Sequence, residues 1–248
     1  MVNDSSIETE RKKTSMIRVA ISATIAVLLS CTTALADPPK YSLSDHPSQD
    51  GRCVGDTGVG DLDRSEPACL KQIGELAERV GPGLQLKFRN GLTRVYLNED
   101  VKCQTPEAEG CVKYRLAGYF PEHDLLLIEV GYWEDGSWLL VRADSGKTSE
   151  IVAPPHYSPS KHWLASVASS IGPSGPPDGI DIVPATFDIS VKEWHYRSPD
   201  DDPWLYEFAG WDGDDRVKLS VTSTVGPAKR TTASVELQNG EWHLAGPK

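Results

Sequence analysis

From Leu84 onward, apolar and polar residues alternate with a period of two, and tight-turn dipeptides break the alternation at intervals. Leu84, Leu86 and Phe88 alternate up to Asn90-Gly91; Val112, Tyr114, Leu116 and Phe120 alternate with Lys113 and Arg115; Val217, Leu219 and Val221 alternate with Lys218 and Ser220. Successive side chains of a strand point to opposite faces, so this pattern is that of sheets with one wet face. Leu125 to Ile128 is apolar without a break, as expected of a strand covered on both faces. Asn90-Gly91, Asp135-Gly136, Asp212-Gly213 and Asn239-Gly240 supply the positive φ that tight hairpins require. The last is the strongest signal, because Ala233, Val235 and Leu237 lead in and Trp242 and Leu244 lead out.

Before Leu84 the period is helical. Ser65 is placed to cap a helix with Glu66 and Pro67 in its first turn; Leu70, Ile73, Leu76, Ala77 and Val80 recur at helical spacing, and Gly81-Pro82-Gly83 ends it. The expected fold is all-β, built of successive antiparallel meanders, with one N-terminal amphipathic helix. Grouping strands between turns gives a hairpin at 84–97, four strands in 112–153, three in 162–194 and four in 203–245, thirteen in all. Four-stranded units at that spacing mark propeller blades, but four complete blades need sixteen strands. The expectation is therefore a propeller-like, incomplete ring or a face-to-face stack of sheets. Gly172 to Gly179, rich in Gly and Pro, reads as an exposed connection.

The N-terminus and the cysteines indicate a compartment. Arg11, Lys12, Lys13 and Arg18 precede an apolar run from Val19 to Leu29, and Ala34 and Ala36 stand at −3 and −1 before Asp37. That order is a secretory signal peptide over residues 1–36, whether translation starts at Met1 or Met16. Two rivals use the same residues: acylation of Cys31 after Leu28-Leu29-Ser30, and an uncleaved anchor over Val19 to Ala36. Residues 37–83 then form a lead-in and helix tied by disulfides, and 84–248 the β-meander domain. Cys53, Cys69, Cys103 and Cys111 remain after export, an even number suited to an oxidising compartment. Neighbour pairing, Cys53 with Cys69 and Cys103 with Cys111, is the simplest of three connectivities. Free buried thiols are the alternative, and no pair has the spacing of a zinc site. The expected location is periplasmic or secreted, with membrane attachment only through an acylated Cys31 or a retained leader.

One stretch resembles a known repeat. Asp144-Ser145-Gly146-Lys147, then His156 through Val167, then Gly179-Ile180-Asp181-Ile182-Val183 is similar to the WD40-like repeat of TolB-type β-propellers. There a Ser-Pro-Asp-Gly-Lys turn introduces a strand; here Ser160-Lys161-His162 stands where the repeat has Asp-Gly-Lys. The resemblance covers one repeat and implies a periplasmic interaction module with no particular chemistry.

Function classes narrow on charge and on motifs. A formal net charge of −11 repels polyanions, so no nucleic-acid partner is expected. The chain lacks G-x-S-x-G, H-E-x-x-H and a nucleotide loop, and Gly55, Gly58 and Gly60 follow no strand. His46, His123, His156, His162, His195 and His243 show no helical metal spacing, and no cofactor is expected. Two acidic runs, Asp200-Asp201-Asp202 and Asp212, Asp214, Asp215, flank the segment Trp204 to Trp211. They read as solvated hairpin tips, with a Ca²⁺ site or a glycosidase acid pair as alternatives. All seven Trp fall after residue 130. Trp204, Tyr206 and Phe208 alternate toward a core, while Trp133, Trp138, Trp194 and Tyr196 are the candidate binding rim, because aromatic rings combine large apolar area with a polar edge. The sequence thus points to an exported binding protein of the cell envelope, its partner an envelope protein or a wall glycan. A cell-wall glycan hydrolase using the carboxylates near 200–215 is the competing reading.

Mass spectrometry of the native N-terminus tests the export reading: cleavage is expected to leave Asp37 first, and an acylated Cys31 or an intact leader would contradict it.

Overall fold

A computed structural model describes residues 62–104, 110–132, 136–169, 178–186, 193–199 and 201–247. The leader with Cys31, Ala34 and Ala36, as well as Cys53, Trp133 and Asp200, lie outside the described residues. One helix, α1 (Leu62–Gln72), precedes fifteen described strands in four antiparallel sheets. The first sheet is β1 (Ala77–Val80), β2 (Gly83–Lys87) and β3 (Thr93–Leu97). The second is β4 (Lys113–Phe120), β5 (Leu125–Gly131), β6 (Gly136–Arg142) and β7 (Thr148–Ile151). The third is β8 (His156–Tyr157), β9 (Trp163–Ala168), β10 (Gly179–Pro184) and β11 (Trp194–Arg197). The fourth is β12 (Trp204–Trp211), β13 (Arg216–Ser223), β14 (Arg230–Gln238) and β15 (Glu241–Ala245). Each sheet uses strands consecutive in the chain, paired in order, so the all-β meander expectation holds.

Three apolar cores join these layers. Cys69, Ile73 and Leu76 from the α1 region, Leu84 and Leu86 from β2, and Leu126, Ile128 and Val141 from the second sheet share one core. Leu125, Leu127 and Leu140, from the opposite face of that sheet, meet Leu164 and Val183 of the third. Ala165, Ile180 and Ile182, on the third sheet's other face, meet Val217, Leu219, Val221, Val235 and Trp242 of the fourth. The unbroken run Leu125 to Ile128 sends alternate side chains into two different cores, as expected of a strand covered on both faces. Each such side chain is fully buried and contributes about 1.5–3 kcal/mol relative to exposure.

Two local readings change. The helix begins at Leu62, so Ser65 and Pro67 lie inside it rather than at its cap and first turn. It also ends at Gln72, and Ala77–Val80 is the strand β1, which pairs with β2 across Gly81-Pro82. Ile73, Leu76 and Ala77 are buried either way, so their spacing could not separate helix from strand. Val80 does separate them, because it is 55% exposed. In β4 a register shift between Leu116 and Gly118 places Leu116 and Tyr119 in the first core and Phe120 in the second, so the alternation from Tyr114 does not run through to Phe120. With β1 and the two-residue β8, fifteen described strands stand where thirteen were expected. Asn239 (φ 54°) and Gly240 (φ 87°) make the expected hairpin between β14 and β15.

Polar ties close the layers. Glu66 of α1 accepts the N–H of Leu116 on the outer strand of the second sheet and pairs with Arg79 of β1, which covers that sheet edge. Asp181 of β10 is wholly buried, accepts the Val152 N–H at 3.1 Å and pairs with Arg197 at 3.0 Å. Gly179, beside it in β10, has no room for a Cβ, which would stand 2.4 Å from the Tyr196 carbonyl. Cys103 and Cys111 are bonded as neighbour pairing expects, a short loop closure worth about 2.5 kcal/mol in the chain-entropy picture. Cys69 is also disulfide-bonded, with its partner outside the described residues. No helix among the described residues is long and apolar enough to cross a membrane.

Truncating Ile128 to Ala is expected to cost about 2–5 kcal/mol in urea unfolding, whereas Val225→Ala, at an exposed site, should stay within about 0.5 kcal/mol. Equal effects at the two positions would contradict the two-faced packing.

Candidate functional site

Because every sheet is an up-and-down meander, alternate turns collect at one end of each sheet, and hydrogen bonds link those turns from sheet to sheet. Arg89, in the β2–β3 turn, forms a two-pronged pair with Asp124 of the β4–β5 turn at 2.7 and 3.0 Å. Asn90 donates to the Ser145 carbonyl in the β6–β7 turn. In that turn Gly146 (φ 74°) lies against the Phe88 ring, where a Cβ would come within 2.7 Å. Glu122 of the β4–β5 turn pairs with Lys161 of the β8–β9 turn, and His123 Nδ1 lies 2.9 Å from the Tyr157 hydroxyl. Ser160 N–H donates to Asp214 of the β12–β13 turn at 2.8 Å. Polar contacts thus bridge each successive sheet junction at this end.

The charges within this chain are tuned by burial and partners. Burial pushes the Tyr119 phenol up, and its 2.6 Å bond to Asp124 pushes the same way. Arg89 is held more firmly protonated, first by its hydrogen bond to Asp124, against the opposing effect of burial. Burial works to raise the Glu122 carboxyl, but the Lys161 bond, a backbone N–H and neighbouring positive charge together bring it below the usual range. Burial lowers His123, with Arg142 and Lys161 adding to the effect, and burial raises Tyr157, with Glu122 adding. Asp214 is lowered chiefly by the Ser160 N–H.

The candidate rim divides. Trp194 and Tyr196, on the outer strand β11, are both half-buried against the core between the third and fourth sheets, with near-parallel rings 6.4 Å apart, and the Tyr196 hydroxyl donates to Asp202 at 2.7 Å. Trp138 packs against a different core, the one between the second and third sheets. Trp204, Tyr206 and Phe208 face the core between the third and fourth, as their alternation indicated.

The acidic runs stand at opposite ends of β12. Asp202 accepts from Tyr196 and from the Trp204 N–H; Asp212 pairs with Arg216 and lies 3.9 Å from Lys218. At the rise of a strand these two carboxylates are on the order of 25 Å apart. Among the described residues no group of three or more His, Cys, Asp or Glu is arranged to hold a metal ion. The turn-end residues His123, Asp124, Tyr157 and Lys161 were not singled out from the sequence as a group. Their linkage depends on which turns share an end, and on positive φ at Asp124 and Lys161, which residue type does not announce.

No protein-family model, no curated protein and no solved structure matches this chain.

His123 makes stability depend on pH. Its folded pKa is below the unfolded value of about 6.5, so the unfolded chain binds more protons in the window just below that value and stability falls as acid is added there. His123→Asn is expected to flatten the drop in urea midpoint between about pH 7 and pH 5; an unchanged slope would contradict the assignment.

Proposed function

We propose that this chain is an exported binding module of the cell envelope that grips another envelope protein or a wall glycan. The leader-like N-terminus supports export, and the Cys103–Cys111 bond is compatible with an oxidising compartment. The observation that carries the binding reading is the Trp194–Tyr196 pair on the outer strand β11, half-buried against the core between the third and fourth sheets and half-open at the sheet's edge strand. Asp202 pins the Tyr196 hydroxyl, so the pair loses little freedom when a flat partner settles against it. Parallel rings suit a sugar face or an apolar side chain, and the exposed His195 adds a polar group on the other face of the strand.

The acidity of the chain keeps nucleic acid out of the partner set, and membrane attachment enters only with an acylated Cys31 or a retained leader. A hydrolase drawing one carboxylate from each acidic run gains no support: the separation along β12 far exceeds the span of about 5–9 Å that flanks a glycosidic bond.

Cosedimentation with insoluble wall glycan and pulldown from envelope extract test the reading. Trp194→Ala with Tyr196→Ala is expected to weaken the retained interaction at least about tenfold, while His243→Ala, on the exposed outer face of the fourth sheet, leaves it unchanged. Equal binding by all three proteins would remove the rim from consideration.

A further inference from the structure

Five of the seven exposed large apolar residues among the described ones, Val80, Leu92, Val95, Leu97 and Val101, belong to the first sheet and its flanking turns. This sheet has three strands where each of the others has four, and β3 is one of its two outer strands. The Phe88 N–H bonds the Leu92 carbonyl and the Asn98 N–H bonds the Pro82 carbonyl. With the two-residue period of an antiparallel ladder, Arg94 and Tyr96 therefore turn their backbone groups toward β2, while Thr93, Val95 and Leu97 turn theirs away from it. Val95 and Leu97 are 47% and 59% exposed, and their N–H groups bond to no other described residue. An open apolar edge of this kind is a template for another strand.

We propose that β3 pairs antiparallel with β3 of a second copy of the chain, about a two-fold axis at Val95. The strand Thr93-Arg94-Val95-Tyr96-Leu97 is complementary to itself in that register. Val95 faces Val95 of the second copy, Thr93 faces Leu97, and Arg94 faces Tyr96. All three outward residues fall at hydrogen-bonded positions, so each outward N–H meets a carbonyl across the axis. Arg94 already donates to the Tyr96 hydroxyl and lies 6.0 Å from that ring within one chain, and the second copy supplies a further ring opposite it. On the outer face, Leu97 lies diagonal to Val95 of the second copy, joining two apolar patches into one. The symmetry is isologous and closes at two copies. Five-residue edges bury less than the roughly 800 Å² per partner of a standard interface, so the dimer is weak. Both copies are strongly acidic, and the two Arg94 side chains lie diagonal to each other, so salt tightens the association rather than loosening it. The proposal is independent of the Trp194–Tyr196 rim.

Sedimentation equilibrium of the full chain, from about 1 µM to about 1 mM, tests it together with hydrogen exchange. The expected result is a monomer–dimer equilibrium that tightens with added salt, with the amides of Thr93, Val95 and Leu97 becoming protected as dimer accumulates. Val95→Lys sets like charges opposite each other and is expected to weaken the dimer at least about tenfold, while Val225→Lys, at an exposed site outside this sheet, leaves it intact. A monomer throughout the range, a dimer that leaves those three amides unprotected, or amides already protected in the monomer would each overturn the proposal.

Discussion

The packing of the second sheet on both faces is the constraint from which the rest of the structure follows. Leu126 and Ile128 point one way and Leu125 and Leu127 the other, so this sheet serves as a wall shared by two cores. The third sheet repeats the device with Leu164 and Val183 on one side and Ile180 and Ile182 on the other. Stacking then ends where a sheet has only one apolar face. The fourth sheet ends it with Lys218, Ser220 and Arg216 on its wet side, and the first sheet ends it with the α1 region packed into the same core.

Apolar layers of this kind slide unless polar contacts register them. The buried Asp181 holds the chain after β7 to the third sheet, and Glu66 holds α1 to β4. At the turn end, Arg89–Asp124, Glu122–Lys161 and Ser160–Asp214 tie successive sheets. Most of these groups lie near the surface, where a single ion pair contributes little. Their common effect is to set orientation while the leucines and isoleucines supply the driving force.

Much of the fold was legible because strand periodicity and turn chemistry are local properties. The antiparallel units of 112–153 and 203–245, the Asn239-Gly240 hairpin and the doubly covered Leu125 to Ile128 could be read directly, whereas β1 and the two-residue β8 could not. The helix boundary was not, since Ile73, Leu76 and Ala77 face the core in either conformation and only the fate of Val80 distinguishes them. The break in β4 escaped because a register shift leaves no mark on residue type. The turn-end linkage of His123, Tyr157 and Lys161 escaped for a different reason: it joins residues far apart in sequence through the order of the sheets. Trp138 was grouped with Trp194 and Tyr196 because it flanks the Glu134-Asp135-Gly136 turn, but turn proximity does not say which core a ring packs against, and it lies on a different one.

The proposed binding role follows from this economy of faces. Two of the four sheets have both faces occupied by packing, which leaves edges, turns and the outermost faces to meet a partner. Everything therefore rests on the second sheet being interior. Native-state hydrogen exchange measures that directly. Amides of Leu126, Leu127, Ile128 and Leu140 are expected to exchange only through global unfolding, slowest in the protein. Exchange there as fast as in the exposed strand β3 would contradict the layered architecture.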